Sequence, residues 1–380
     1  MPKAYDASPS TTPRSPHHAH VVLVGSGATH FYVAAQCARL TRAGARVTLV
    51  TREPFAFPDW LGGMLGGEWQ RNDVLLDPAH IERHGGEFRR AEVTRIDLEG
   101  HRLTLDDGSQ LDYDWLSLDR PARVDPQTVP GFYTAQAVHD TRVESLWGLR
   151  QVLETHLADA EATLPNVVVL GGGPPGVEYA ANLLALGERY GRRLPVALIE
   201  THRRALPGAC DRANRWLARR LDQRGLQLEL VANVTRYEDG QLVLDDGSWV
   251  AADRLLVVDS HRHAPQTLTP TGDEPSFGER ASPRDPAVHD RLVTGDDSDE
   301  ALPLPARERA ALLIDRLQNA LADGAPDAPR SPASARWQAL NLGDLRDIAW
   351  RGRLWCRGRW VRRLKHRRDR AEVDHFRGGG

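Results

Sequence analysis

The chain has 380 residues, 41% hydrophobic and 27% charged, with a formal net charge of -3. This length accommodates two domains of ordinary size, each with its own core. No apolar run approaches the roughly 20 residues of a membrane-spanning helix, and three widely separated cysteines exclude a dense disulfide framework. The composition therefore predicts a globular cytoplasmic protein.

The first 19 residues are rich in Ser, Pro and His and contain no apolar stretch of the signal-peptide type. We expect a disordered leader over 1–19. His17, His18 and His20 lie close enough in sequence to bind a metal ion together, but solvated tail histidines are the simpler interpretation. We predict no metal site.

A glycine-rich turn follows the first strongly apolar segment. Val21 to Val24 predict a buried parallel strand, residues 32–43 a helix and residues 46–50 a second strand, with Gly25 and Gly27 between the first strand and the helix. A strand that ends in such a turn leads into a helix N-terminus. There, free N–H groups and the absence of side chains accept a pyrophosphate, so the segment predicts a dinucleotide site.

The residues after the second strand are less typical of such a site. Thr51 and Arg52 stand where a carboxylate would hold the adenosine ribose, and Glu53 comes one step later. Short strands follow, and Asp107-Gly108 marks a hairpin between two alternating segments. We expect a small antiparallel layer there.

A second glycine turn repeats the pattern. A strand over 167–170 precedes Gly171, Gly173 and Gly176, and a helix over 176–186 and a strand over 196–200 follow. Two dinucleotide sites in one chain suggest that electrons pass between two dinucleotides. The sequence DDGS occurs after both units, at 106–109 and 245–248, which indicates a duplicated domain.

Two carboxylates belong to the second unit. Glu200 stands where an acidic residue would take the ribose 2′-hydroxyl, which favours NADH over NADPH. Arg203 and Arg204 favour the opposite preference, because either could bind a 2′-phosphate. Glu178 is either a partner of the helix dipole or a residue that faces the nicotinamide.

The C-terminal segment is basic. Residues 346–380 contain 12 Lys and Arg against 4 Asp and Glu, a net of +8, so the first 345 residues carry about -11. Trp350, Trp355 and Trp360 recur among arginines. The pattern suits a membrane interface or a strand pair or helix that closes over a domain. Nucleic-acid binding is a third interpretation, against which the acidic remainder argues.

The chain resembles the pyridine nucleotide–disulfide oxidoreductase superfamily of two-domain flavoproteins from about residue 20 to residue 376. The resemblance rests on the glycine turns, on the segments EPFAFPDWLGGMLGG, YDWLSLD and VTGD, and on the closing stretch NLGDLRDIAWRGRLWCRGRWVRRLK. That stretch is most similar to the branch related to type II NADH dehydrogenases, which is often fused or adjacent to selenide, water dikinase. The resemblance implies FAD in the first site and NAD(P)H in the second.

The matching motifs also imply individual site residues. Those that would contact the FAD pyrophosphate, isoalloxazine or ribityl part are Gly25, Gly27, His30, Met64, Leu65 and Asp296. Those that would take the nicotinamide dinucleotide, with NADH preferred, are Gly171, Gly173, Gly176, Glu178 and Glu200. No catalytic acid, base or nucleophile is predicted, and His261 and His263 are interpreted as solvated loop histidines.

The expected fold is α/β, with two Rossmann-like FAD/NAD(P)-binding domains, the second inserted in the first, each carrying a small antiparallel β layer. The predicted boundaries are 20–130 with 286–330 for the FAD-binding domain, 131–285 for the NAD(P)-binding domain and 331–380 for the basic C-terminal segment. Such a chain would be an FAD-dependent NAD(P)H oxidoreductase that passes a hydride from NADH to flavin and on to a quinone-like or small-molecule acceptor.

The partners follow from this function and from the basic tail. We expect a cytoplasmic protein that binds no nucleic acid. Two further possibilities are left open: a peripheral contact of the Trp/Arg segment with the inner face of the membrane, and a homodimer. The alternative function is a catalytically degenerate member that acts as a binding or regulatory protein. It is favoured by Arg120, Asp259 and the acidic run after Asp296, which replace small residues of the family pattern.

Overall fold

The computed structural model describes residues 19–98, 100–119, 131, 138–171, 173–206, 208–258, 306–323 and 337–378 of the chain. In these ranges two similar units follow one another, each with a parallel sheet, flanking helices and a small antiparallel sheet. Among the described helices, none combines the length and the apolar character needed to cross a bilayer.

The first unit begins and ends with strands of its parallel sheet. Its elements, in chain order, are β1 (His20–Val24), α1 (Ala28–Ala34), α2 (Ala38–Arg42), β2 (Arg46–Val50), β3 (Phe55–Ala56), α3 (Pro58–Leu65), α4 (Arg71–Val74), β4 (Leu75–Leu76), a 3-10 helix (Pro78–His84), β5 (Glu87–Arg89), β6 (Val93–Asp97), β7 (Arg102–Leu105), β8 (Gln110–Asp112) and β9 (Trp115–Leu118).

The second unit repeats this plan. Its elements are β10 (Val138–His139), α5 (Val143–Ala158), β11 (Val167–Leu170), α6 (Gly173–Arg189), β12 (Val196–Glu200), α7 (Asp211–Arg224), β13 (Leu226–Leu230), β14 (Val234–Glu238), β15 (Gln241–Leu244), β16 (Trp249–Ala251) and β17 (Arg254–Val257). The remaining described elements are α8 (Ala306–Asp323), β18 (Gln338–Leu340), β19 (Ile348–Arg351), β20 (Leu354–Arg357) and α9 (Arg359–Phe376).

Both large sheets are parallel, in the orders β5-β2-β1-β9 and β10-β17-β11-β12-β13. The strands that precede the glycine turns, β1 and β11, are interior in each sheet and buried on both faces. This double burial explains their unbroken runs of valine and leucine. Each turn thus lies at the carboxyl end of an interior strand, where open α/β sheets bind ligands. The predicted fold class is confirmed.

The predicted antiparallel layers are also present. The sheets β6-β7-β8 and β14-β15-β16 are antiparallel, and each packs its apolar face on a parallel sheet. Gly108 and Gly247 occupy the tight turns of the two DDGS segments with positive φ values of 79° and 82°. The repeated sequence therefore forms the same hairpin in both units.

Two predicted helices differ in their bounds. The helix expected over 32–43 is two short helices, α1 and α2, separated by a turn at residues 35–37. The helix expected from Gly176 begins earlier, at Gly173. Pro174 and Pro175 then occupy its first turn, where their missing N–H groups are not needed for intrahelical bonds.

The C-terminal segment packs on both units, with α9 on the first and the residues after β18 hydrogen-bonded to α6 and α7 of the second. Strands β18, β19 and β20 form an antiparallel sheet, and α9 contacts this sheet and the 3-10 helix. Buried residues recur every three or four positions along α9 and form its inward face: Val361, Lys365, Asp369, Val373 and Phe376. One of the predicted alternatives for this segment was a strand pair or helix that closes over the FAD domain, and the structure has both a strand pair and a helix here. The boundaries predicted at 130/131, 285/286 and 330/331 fall at or within ranges that the structure does not describe, and all the predicted boundaries stay predictions.

Candidate functional site

The first glycine turn has the backbone form that a dinucleotide site requires. Gly25 has φ 104°, a conformation that favours glycine. Its N–H donates to the carbonyl of Val50 at 2.9 Å, which ties the turn to the end of β2. The chain then enters α1 at Ala28.

Asp119 occupies the space beside the second glycine of this turn. It follows β9, and its N–H donates to the carbonyl of Val24 at 3.0 Å. Its own carbonyl accepts from the N–H of Gly27 at 2.8 Å, and its Oδ2 accepts from the backbone N–H of His30 at 2.9 Å. A Cβ atom on Gly27 would overlap the carboxylate of Asp119. Asp119 therefore engages two N–H groups at this turn, and its carboxylate fills the space beside Gly27.

The ring of His30 is within hydrogen-bond distance of two groups of the protein and does not face an open site. It is fully buried, with Nδ1 3.1 Å from the carbonyl oxygen of Gly25 and Nε2 2.9 Å from Oγ of Ser117. Burial lowers the pKa of His30, although nearby Asp119 opposes this shift. The predicted role of His30 at the pyrophosphate can thus be filled by its backbone N–H only.

The second glycine turn is compact. Gly171 has φ 90°, and its N–H donates to the carbonyl of Ile199 at 3.1 Å. A Cβ atom on Gly176 would overlap the carbonyl oxygen of Gly171, so this approach of helix to strand requires glycine. At Gly173, which has φ 64°, a Cβ atom would meet no described atom within 4 Å.

Glu200 ends β12, as predicted for a ribose-binding carboxylate, and its side chain is buried. Its Oε1 accepts from the backbone N–H of His202 at 2.9 Å and lies 2.6 Å from the Nδ1 of that ring. Arg204, one of the arginines that could bind a 2′-phosphate, lies 2.7 Å from Asp211 in an exposed ion pair. The geometry leaves the carboxylate at the predicted place, with one oxygen engaged by the loop that follows.

Met64 and Leu65 lie at the end of α3 and are fully buried in the main core. Helix α3 packs directly on α6 of the second unit, and its glycines permit the close approach. A Cβ atom on Gly62 would lie 2.7 Å from Cγ of Glu178, and one on Gly66 would lie 2.9 Å from the carbonyl oxygen of Asn182. The two residues predicted to approach the isoalloxazine thus lie where the two units meet, and their contact with FAD stays a prediction.

Glu178 points across this interface. The first turn of α6 contains no acidic residue, so Glu178 is not a partner of the helix dipole. Its side chain is buried against α3, and no described residue donates a hydrogen bond to its Oε1. Burial raises the pKa of Glu178 to about 8, an effect that Lys365 opposes. Burial therefore favours the protonated form of this carboxyl.

Lys365, on the inward face of α9, is a buried cation that the sequence pattern did not reveal. Its Nζ donates to Oδ2 of Asp369 at 2.7 Å and to the backbone carbonyl of Asp59 at 3.0 Å. Burial lowers the pKa of Lys365, but the nearby carboxylates of Asp59 and Asp369 more than offset this and raise it. Its spacing of four residues from both Val361 and Asp369 was the available signal, because such spacing places it on one helix face.

The three cysteines are not joined by a disulfide. Cys37, Cys210 and Cys356 are free thiols. Burial raises the pKa of Cys37 to about 12, which makes it a poor nucleophile.

Several predicted residues fall outside the described ranges. These are Arg120, Asp259, His261, His263 and Asp296 with the acidic run after it. Asp119, immediately before that boundary, was missed. The available signal was a carboxylate directly after a strand of the sheet.

Comparison with known proteins agrees with this geometry. The family model described as pyridine nucleotide-disulphide oxidoreductase matches residues 19–268. A ferredoxin–NAD(+) reductase component of the p-cumate 2,3-dioxygenase system from Pseudomonas putida is 31% identical over 245 residues, covering 62% of this chain and 57% of that protein. Demethylphylloquinone reductase from Synechocystis sp. is 26% identical, covering 57% of this chain and 54% of that protein. The chain thus spans little more than half the length of these curated relatives.

Solved structures share the fold over most of the chain. The sulfide:quinone oxidoreductase of Aquifex aeolicus superposes with a TM-score of 0.68 at 15% identity, covering 95% of this chain and 92% of that one. NDH2 from Plasmodium falciparum, solved in complex with NADH, gives a TM-score of 0.67 at 11% identity, covering 95% and 97%. At these identities the likeness establishes the fold.

Proposed function

The chain belongs to the pyridine nucleotide-disulphide oxidoreductase family, and from this premise we propose that it passes electrons from NADH through FAD to a quinone-like or small-molecule acceptor. The predicted enzyme class, an FAD-dependent pyridine nucleotide oxidoreductase, and the predicted cofactors, FAD and NAD(P)H, are those of the family. The single observation that carries the proposal is the pair of glycine turns at the carboxyl ends of β1 and β11. The link to selenide, water dikinase stays a prediction from the C-terminal motif.

Different residues of the chain would bind the two cofactors. The turn at Gly25 and Gly27 would hold the FAD pyrophosphate, and the turn at Gly171 and Gly173 would hold NADH. Glu200 supports the preference for NADH, since its carboxylate would repel a 2′-phosphate. When bound, FAD would supply the redox chemistry, because a flavin can take two electrons from NADH and release them to a second substrate.

The side chain of Glu178 suits a proton-holding role in this reaction. Reduction of a quinone to a quinol consumes two electrons and two protons, so a protonated group near the interface of the units is useful. Glu178 is buried there, its Oε1 accepts no hydrogen bond from the described residues, and its pKa is raised to about 8. Lys365 lies close enough to stabilise the carboxylate after the proton leaves.

The proposal is tested by steady-state oxidation of NADH with the FAD-loaded protein and a short-chain quinone. We expect quinone-dependent loss of nicotinamide absorbance, slower with NADPH at equal concentration. A rate that does not change when quinone is added would remove the quinone-like acceptor from the proposal. Equal rates with both nucleotides would remove the assigned role of Glu200.

The outward face of α9 supports a peripheral contact with an anionic membrane. Trp360 and Leu364 are 55% and 62% exposed, and Arg363 and Arg367 are exposed on the same face. Exposed aromatic and aliphatic groups among arginines suit the headgroup region. We expect co-sedimentation with vesicles that contain anionic lipid, and its loss in R363E/R367E. Equal binding to neutral vesicles, or no loss in the variant, would contradict this contact.

A specific observation favours the second candidate, a degenerate member that acts as a binding protein. The carboxylate of Asp119 lies where the pyrophosphate of the first cofactor would approach Gly27. If this arrangement were permanent, FAD would not bind. Protein that takes up no FAD at millimolar concentration would support this candidate over the oxidoreductase.

A further inference from the structure

The two glycine turns differ in what lies beside their second glycine. Gly27 and Gly173 occupy the same position, two residues after the first glycine of each turn. At Gly27 the space that a Cβ atom would fill contains the carboxylate of Asp119. At Gly173 a Cβ atom would meet no described atom within 4 Å. Among the described residues, the carboxylate of Asp119 therefore lies beside the second glycine of the turn assigned to FAD.

The duplication of the units identifies the residue responsible. Asp119 follows β9 and its N–H donates to Val24, the last residue of β1, at 3.0 Å. In the second unit Val258 follows β17 and its N–H donates to Leu170, the last residue of β11, at 2.8 Å. The two residues are therefore equivalent, and only the first unit carries a charged group at this point.

We propose that Asp119 sets the affinity of the first site, because its carboxylate occupies the place of the FAD pyrophosphate and must turn away before the cofactor can bind. This inference rests on the proposed function, since it assumes that FAD is the ligand of the first turn. The carboxylate resembles a phosphate in its negative charge and in its ability to accept hydrogen bonds. It accepts from the backbone N–H of His30 at 2.9 Å, a donor that the glycine turn would otherwise present to an anion.

The carboxylate of Asp119 would compete with the FAD pyrophosphate for two reasons. One N–H group cannot satisfy both the carboxylate and a phosphate oxygen at full strength, so the first hydrogen bond must break. A carboxylate left close to the pyrophosphate would also repel it, because both are anionic and partly shielded from water.

The test compares FAD binding by the full chain and three variants. D119A removes both the charge and the overlap, and D119N removes the charge while keeping the size. The matched control is D114N, because Asp114 lies at the other end of β9 and its Oδ2 accepts from the backbone N–H of His20 at 2.8 Å. The Kd for FAD is measured on apoprotein by the change in flavin fluorescence, and the Kd for NADH on the same apoprotein samples.

We expect D119A to bind FAD about tenfold more tightly or better, as loss of a competing charged hydrogen bond implies. D119N should change in the same direction, D114N should match the wild type, and the Kd for NADH should be unchanged throughout. If all four proteins bind FAD equally well, the inference is overturned and the proposed function stands. If none of the four binds FAD, the proposed function fails and the inference fails with it.

Discussion

At the scale of single residues, Glu178 couples the stability of the protein to pH. Its pKa in the folded protein is about 8, against an ordinary value of 4.5, because its side chain is buried at the α3–α6 interface. The folded state therefore binds more protons than the unfolded state between these values. Stability from this group is fully present below about pH 4.5 and is lost as the pH rises through about 8.

We predict that E178Q flattens this dependence. Wild-type protein should lose on the order of a few kcal/mol of unfolding free energy from this group between pH 5 and pH 8, since a tenfold change in proton affinity corresponds to about 1.4 kcal/mol. The variant should lose clearly less. Urea denaturation at several pH values measures the difference.

The control for this experiment is E82Q, because Glu82 is exposed on the 3-10 helix. Its profile should match the wild type. A profile of E178Q that also matches the wild type would show that the buried carboxyl does not carry the proton assigned to it.

The sequence could predict only part of the site at this scale. Glu178 and Glu200 were recognised from their distance to the second turn, because spacing along a βαβ unit is regular. Asp119 and Lys365 were not, because their importance depends on which side chain fills a space or which helix face turns inward. These are properties of tertiary packing, which spacing along the chain reports weakly.

At the scale of elements, the close approach of α6 to β11 depends on Gly176. A Cβ atom there would overlap the carbonyl oxygen of Gly171, which belongs to the backbone and cannot move aside as a side chain could. We predict that G176A lowers the unfolding free energy by about 2 kcal/mol or more, as overpacking of a tight site does, and weakens NADH binding at least tenfold. Thermal denaturation and NADH titration measure the two effects.

G148A is the matched control. Gly148 lies inside α5, where a Cβ atom would meet no described atom within 4 Å. Alanine there should stabilise the protein by roughly 0.5–1 kcal/mol through helix propensity. If G176A behaved like G148A, the turn would not require the geometry described above.

The elements themselves were largely predictable. The predicted strand bounds 46–50, 167–170 and 196–200 are those of the structure, because runs of buried apolar residues limited by glycine or charge specify parallel strands clearly. The prediction of one continuous helix over 32–43 was wrong. The pattern of apolar and alanine residues in this segment fits one helix as well as two, so the turn at 35–37 carries no strong signal.

At the scale of the whole molecule, α9 ties the end of the chain to the first unit. Phe376 is fully buried, and its ring lies 5.1 Å from that of Phe31 and 5.7 Å from that of Phe55. Arg307 of α8 joins the same region through Asp59 and Glu372. The basic segment is therefore a structural part of the core with a charged outer face.

We predict that F376A lowers the unfolding free energy by about 3–5 kcal/mol, as other buried phenylalanines do. W360A, on the exposed side of the same helix, should change it by less than about 0.5 kcal/mol. Guanidinium denaturation of both variants measures this. A small effect of F376A would mean that α9 does not pack on the first unit as described.

The two units are proposed to hold a flavin and a nicotinamide nucleotide in one electron path. The most direct test is the visible spectrum of FAD-loaded protein under anaerobic conditions, before and after addition of one equivalent of NADH. We expect flavin absorbance near the usual ~450 nm that is bleached by NADH. A bound flavin whose absorbance does not change with NADH, or protein that takes up no FAD, would contradict this electron path.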